Sequence, residues 1–100
     1  MESPYVNMNL EVLTPEKTIY AGKVKLISVP GTKAPFTVLR NHAPIISTLE
    51  KGFIRIVTEM GNDLHYLIDK GIIEVNNNNI KVLVEKISEE DGYSKSDSLF

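Results

Sequence analysis

Apolar and polar residues alternate with a period of two along most of this chain. Met8, Leu10 and Val12 are separated by Asn9 and Glu11, and Val24 and Leu26 alternate with Lys23 and Lys25. Ile54 and Ile56 flank Arg55, Leu64 and Tyr66 flank His65, and Ile80 and Val82 flank Lys81 with Val84 next in phase. Successive side chains of a strand point to opposite faces, so each such segment has one dry face and one wet face. Turn formers punctuate the runs: Thr14-Pro15-Glu16-Lys17, Ala21-Gly22, Pro30-Gly31, Asn41-His42-Ala43-Pro44, Lys51-Gly52, Gly61-Asn62-Asp63, Lys70-Gly71 and Asn76-Asn77-Asn78-Asn79. Glycine and asparagine reach the positive φ that tight hairpins demand, and proline fixes φ near −65°. The pattern predicts strands over 8–14, 18–21, 23–29, 36–40, 45–49, 53–59, 63–69, 72–75 and 79–84. Short strands with turns every 8–12 residues make an all-β fold, an antiparallel β-sandwich or barrel.

Helical evidence is confined to 80–91, where Ile80, Val84 and Ile87 are four and three apart. A strand ending at Val84 accounts for the same residues, and it is preferred, with one frayed turn after it. Three segments follow: an amino-terminal extension over 1–7, a sandwich domain over 8–86 and a polar tail over 87–100. Met8 is as natural a starting residue as Met1. Acidic and serine-rich, the tail is expected to be mobile. Lys51-Gly52-Phe53-Ile54 is echoed by Lys70-Gly71-Ile72-Ile73, a shared hairpin device rather than a duplication.

With 100 residues, 42% of them hydrophobic and 24% charged, the chain suits one globular domain. It contains no cysteine, which removes disulfides, thiolate metal sites and cysteine nucleophiles together and suits a reducing compartment. A net charge of −2 offers no broad positive surface to nucleic acid or anionic lipid. No apolar run approaches the ~20 residues of a membrane span, and no signal peptide is visible. The expectation is a soluble intracellular domain with no direct membrane insertion.

Catalytic chemistry is hard to assemble from these residues. His42 and His65 are 23 apart with no close second ligand, so no metal site is expected. Gly22-Lys23 and Pro30-Gly31-Thr32-Lys33 lack the spacing of a phosphate loop, and no serine sits in a nucleophile elbow. Asp63, Asp69, Asp91 and Asp97 fall in turns or in the tail, where a solvated turn former is the expected role. The chain reads as a non-enzyme with no cofactor, working by contact.

Six blocks in order carry a family resemblance. The segment from Pro30 to Ile45, with its Pro-Gly turn, loop, Phe36 and Asn41-His42-Ala43-Pro44, resembles the signature of the epsilon subunit of bacterial F-type ATP synthases, called delta in mitochondria. Leu10–Lys17, Ile19–Gly22, Lys51–Ile56, Gly71–Val75 and Asn79–Val84 resemble its other strands and turns. Ala34 and Thr37 replace family glycines, Pro35 an acidic position and Arg40 a proline, which stiffens the loop and reduces its negative charge.

The resemblance implies an amino-terminal domain that is a flattened antiparallel β-sandwich of two sheets, placed in the rotating central stalk and linking the gamma subunit to the membrane rotor ring of c subunits. It would couple proton flow to ATP synthesis without catalysing it, and would meet the catalytic head only indirectly. Thr14, Pro15, Glu16, Asn41, His42, Ala43 and Pro44 would face gamma. Thr32, Lys33, Ala34, Pro35 and Phe36 would face the ring. Pro30, Gly31 and Pro44 are equally well explained as turn formers, and Phe36 as a core residue. The complex would lie peripherally on the cytoplasmic face of the bacterial plasma (inner) membrane. Only sixteen residues follow Val84, too few for the helical hairpin that inhibits hydrolysis in longer relatives, so a short form, natural or truncated, is expected. A stand-alone β-sandwich binding module, or a small enzyme with a concave pocket, is the alternative.

Overall fold

Alternation becomes a ladder. A computed structural model of the chain describes residues 7–85 and 87–88. Its strands are β1 (Met8–Leu13), β2 (Thr18–Val29), β3 (Phe36–Val38), β4 (Ile45–Leu49), β5 (Gly52–Thr58), β6 (Asp63–Ile68), β7 (Gly71–Asn76), β8 (Asn79–Val84) and β9 (Ile87–Ser88). No helix occurs among the described residues. Gly22 does not interrupt β2, because Tyr20 to Val24 pair with β1 in unbroken register, Gly22 opposite Leu10. β3 ends at Val38, since the chain then turns: the His42 N–H donates to the Leu39 carbonyl (3.0 Å) and Asn41 takes φ 66°.

Strand order is β4-β7-β8-β1-β2-β5-β6-β9, with β3 joined to β2 off this path. The antiparallel sandwich expected from the sequence is the architecture observed, with one parallel seam. At that seam β1 runs alongside β8, Leu10 beside Ile80 and Val12 beside Val82. Parallel partners need a long connection, and here residues 14–78 supply it. Past Val29 the chain crosses to β4. The Thr32 N–H donates to the Thr48 carbonyl (3.0 Å), the Glu50 N–H to the Pro30 carbonyl (2.9 Å), and Gly31 bridges Leu49. The sheet thereby curls onto itself, and the outer edge of β4 is covered.

The inward phase is almost wholly aliphatic. Leu10 and Val12 of β1, Ile54 and Ile56 of β5, Ile73 of β7 and Val82 of β8 are no more than 1% exposed. Full burial of such a side chain contributes roughly 1.5–3 kcal/mol. β2 breaks the simple alternation. Val24 is buried, Leu26 only half-buried, and then Ile27 and Val29 are buried. Lys25 is an extra residue there, because Val24 pairs with Thr58 and Leu26 with Val57. One inserted residue exchanges the faces of everything beyond it, which is why Val24 and Leu26 do not share the dry side.

After Val84 a short strand stands where a frayed turn was expected. Ile87 and Ser88 pair with Ile68 and Leu67, and Ile87 packs against the core, which anchors β9 on the edge of β6. The rest of the 87–100 tail, and the 1–7 extension apart from Asn7, lie outside the described residues.

On the wet face of β5 and β6, His65 has more company than a solvated histidine. Arg55 Nε and Nη2 donate to both oxygens of Asp63 (2.9–3.2 Å), and His65 Nε2 lies 3.0 Å from Asp63 Oδ1. The Arg55 hydrogen bonds hold the Asp63 carboxyl below the usual carboxylate range. A lowered folded-state pKa contributes stability above the unfolded value and loses it as pH falls through the folded one. Asp63→Asn is therefore expected to lower the melting temperature at neutral pH. The difference from the unaltered chain should shrink as pH falls through the folded-state value, and shrink in ~1 M salt. A difference that persists in acid contradicts the assignment. Gly71 opens β7 where backbones crowd: a Cβ there would meet the Leu83 carbonyl and lie 2.9 Å from Val84 Cγ1. Gly71→Ala is expected to destabilise by about 1–3 kcal/mol, read as a lower urea midpoint at unchanged slope.

Candidate functional site

The residues read from sequence as docking positions occupy loops at the ends of the strands. Thr14 to Lys17 form the turn between β1 and β2. The Thr14 N–H donates to the Lys17 carbonyl (2.9 Å), and the Lys17 N–H returns a bond to Thr14 Oγ1 (3.2 Å). Threonine closes this turn with its hydroxyl, and Pro15 presets φ at the next position. Pro15 and Glu16 are left exposed at its tip.

Asn41 to Pro44 lie at the other end of β1. The Asn41 N–H donates to Asn78 Oδ1 (2.7 Å), and Asn78 Nδ2 donates back to Asn41 Oδ1 (3.2 Å). Asn78 belongs to the β7–β8 turn, and its carbonyl accepts the Asn9 N–H at the start of β1 (2.9 Å). From Asn9 to Thr14 is five strand steps, about 17 Å at ~3.3 Å each. The gamma-facing set read from sequence therefore forms two patches at opposite ends of one strand.

His42 is held on two sides. Its Nδ1 lies 2.7 Å from the Ala43 carbonyl, and its ring centroid is 6.4 Å from that of Phe36. A carbonyl oxygen only accepts, so Nδ1 carries the proton. Nε2 has no hydrogen-bond partner among the described residues. No carboxylate bonds the ring there either, and no group of three or more metal-ligating side chains occurs among them.

In the loop read as ring-facing, Lys33, Ala34 and Pro35 are exposed. Thr32 is tied to β4 by its backbone and by a hydroxyl contact with Thr48 Oγ1 (2.8 Å). Phe36 is half-buried against the core, so it anchors the loop rather than forming its tip. Through His42 it also joins this loop to the 41–44 turn, which brings together residues assigned to different partners.

Two features escaped the sequence reading. Leu13, Leu83 and Ile72 stand side by side across β1, β8 and β7, all on the outward face. Ile72 is 37% and Leu83 45% exposed, an apolar row on the outward face. With Thr14 and Pro15 it lines an open groove of about 490 Å³. A signal was present: in Ile72-Ile73 and Val82-Leu83-Val84 the apolar run is unbroken, so one member must face out. The other feature is the Asn41–Asn78 pairing, between residues 37 apart, which no local pattern announces.

No helix among the described residues is long and apolar enough to cross a membrane. A family described as the β-sandwich domain of the delta/epsilon chain of ATP synthase matches residues 7–90. The ATP synthase epsilon chain of Magnetococcus marinus is 40% identical over 82 residues, covering 81% of this chain and 58% of that protein. That of Syntrophomonas wolfei is 36% identical, covering 76% and 56%. The chain thus spans less than two thirds of the length of these relatives. In fold it is similar to a chain of the Euglena gracilis mitochondrial ATP synthase (TM-score 0.78, 19% identity), with 88% of this chain and 56% of that one covered. It is likewise similar to a chain from the central stalk and c-ring of the Tetrahymena thermophila enzyme (TM-score 0.68, 18% identity), with 87% and 69% covered. A match that spans every described strand, joined to relatives well above 30% identity, means that this chain belongs to the delta/epsilon-chain family of ATP synthase subunits.

Proposed function

We propose that the chain is a non-catalytic central-stalk subunit of a proton-translocating F-type ATP synthase. It links gamma to the membrane rotor ring at the cytoplasmic face of the bacterial plasma membrane. The observation that carries this reading is the family match over residues 7–90, which includes the nine strands of the described residues. Torque must pass through such a subunit without being absorbed. A curled ladder over a close-packed aliphatic core suits that task, because interiors of this density have low compressibility and transmit strain.

Gamma is assigned to the 14–16 and 41–44 turns, and the ring to the exposed tip Lys33–Pro35 with its supports Thr32 and Phe36. The apolar row Leu13, Leu83 and Ile72 supports the gamma assignment beside Thr14 and Pro15, since exposed contiguous apolar surface marks interaction sites. At the other end His42 supports it, by offering an unpaired ring nitrogen on an ordered turn.

Co-purification with gamma and with the assembled ring tests the whole reading. The complex with gamma is expected to form, and His42→Ala is expected to weaken it by about tenfold, the scale of one interface residue worth more than ~1 kcal/mol. Its melting temperature should be unchanged. A chain that remains a monodisperse monomer in the presence of gamma is a stand-alone binding module instead. Unchanged affinity in His42→Ala removes that residue from the interface.

A further inference from the structure

The Asn41–Asn78 pairing has a role that turn formation does not require. Asn41 and Asn78 both adopt left-handed backbone, φ 66° and 63°, a conformation asparagine tolerates without any side-chain partner. Their amides nonetheless face each other reciprocally, 2.7 Å and 3.2 Å. The Asn41 backbone N–H needs an acceptor, which fixes Oδ1 of Asn78 toward it and leaves Nδ2 to meet the Asn41 side chain. Asn78 is itself pinned, because its carbonyl accepts the Asn9 N–H, and Asn9 Nδ2 donates to Asn79 Oδ1 (3.1 Å). The clasp therefore ties an exposed turn to β1, which is paired along both edges.

His42 follows directly in that turn. Its Nδ1–H is committed to the Ala43 carbonyl and its ring rests near Phe36, so Nε2 is the nitrogen left over. In the neutral ring this Nε2 is an acceptor. We propose that Asn78 is a positioning residue for partner docking: clasped to Asn41, it orients the 41–44 turn so that His42 presents Nε2 as an acceptor to a hydrogen-bond donor on the docking subunit. The proposal rests on the reading of the 41–44 turn as gamma-facing.

Three readouts test it in the full chain. Nitrogen-15 spectra of the neutral His42 ring are expected to show Nδ1 protonated and Nε2 bare, and the opposite tautomer overturns the proposal. Asn78→Gly keeps the left-handed backbone and deletes the amide. With two hydrogen bonds of ordinary net strength removed, Asn41 amide exchange should quicken, and affinity for gamma should fall, each by about tenfold. Asn78→Asp keeps the acceptor for the Asn41 N–H and loses only the Nδ2 donor, so its affinity should lie between. It also decides the matter if the glycine variant folds poorly. Should both variants bind gamma like the unaltered chain while His42→Ala binds weakly, Asn78 has no positioning role and the gamma-facing turn stands. If the unaltered chain forms no complex with gamma, both readings fall.

Discussion

The pairing of β1 on both of its edges is the constraint on which the rest of the molecule depends. On one side β1 meets β2 antiparallel, and on the other it meets β8 parallel, near the start and the end of the described chain. Without it the ladder divides into β4-β7-β8 and β2-β5-β6-β9, bridged in backbone hydrogen bonds by the crossing of residues 30–32 to β4. Met8, Leu10 and Val12 also supply the inward phase at that seam, all at most 1% exposed. Hydrogen bonding and burial thus coincide in one six-residue segment. Closing a parallel pair across so long an intervening chain carries a loop-closure cost, which the shared core must offset.

A stiff seam also decides where the proposed contact surfaces lie. Both turns read as gamma-facing grow from the ends of β1, one directly after Leu13 and the other through Asn78 on the Asn9 N–H. Their separation is set by strand geometry and not by loop conformation. Across the outward face between them the strands carry three cross-strand rows. Asn76, Asn79 and Asn9 form one, Glu74, Lys81 and Glu11 the next, and Ile72, Leu83 and Leu13 the third. That face grades from amide to charge to apolar along about one strand length. A partner laid along it would meet a different chemistry at each level.

Much of this was legible in the alternation. Strand positions, the all-β class and most of the core follow from a period of two, because burying one face of a sheet is the physics that selects the pattern. Val24 and Leu26 were misleading, since an inserted Lys25 exchanges the faces and nothing in Lys23-Val24-Lys25-Leu26 marks the bulge. Parallel pairing of β1 with β8 was equally invisible: alternation specifies a face, not a neighbour or its direction. Among the residues proposed for docking, the turns are readable from Pro, Gly and Asn chemistry. Asn78 was not, because it occupies a run of four asparagines in which each is an adequate turn former and only three-dimensional placement singles one out. Phe36 shows the reverse: it was read both as contact and as core, and the structure packs it against the core while its ring neighbours His42.

Native-state hydrogen exchange tests the central role of β1 most directly, because it resolves whether segments open together or separately. If β1 is the seam, the buried amides of β1, β2, β7 and β8 exchange with one common free energy, equal to that of global unfolding and with the same dependence on denaturant. Exchange of β7 and β8 through a smaller opening, while β1 and β2 stay protected, would mean that the two blocks are stable apart and would contradict the account.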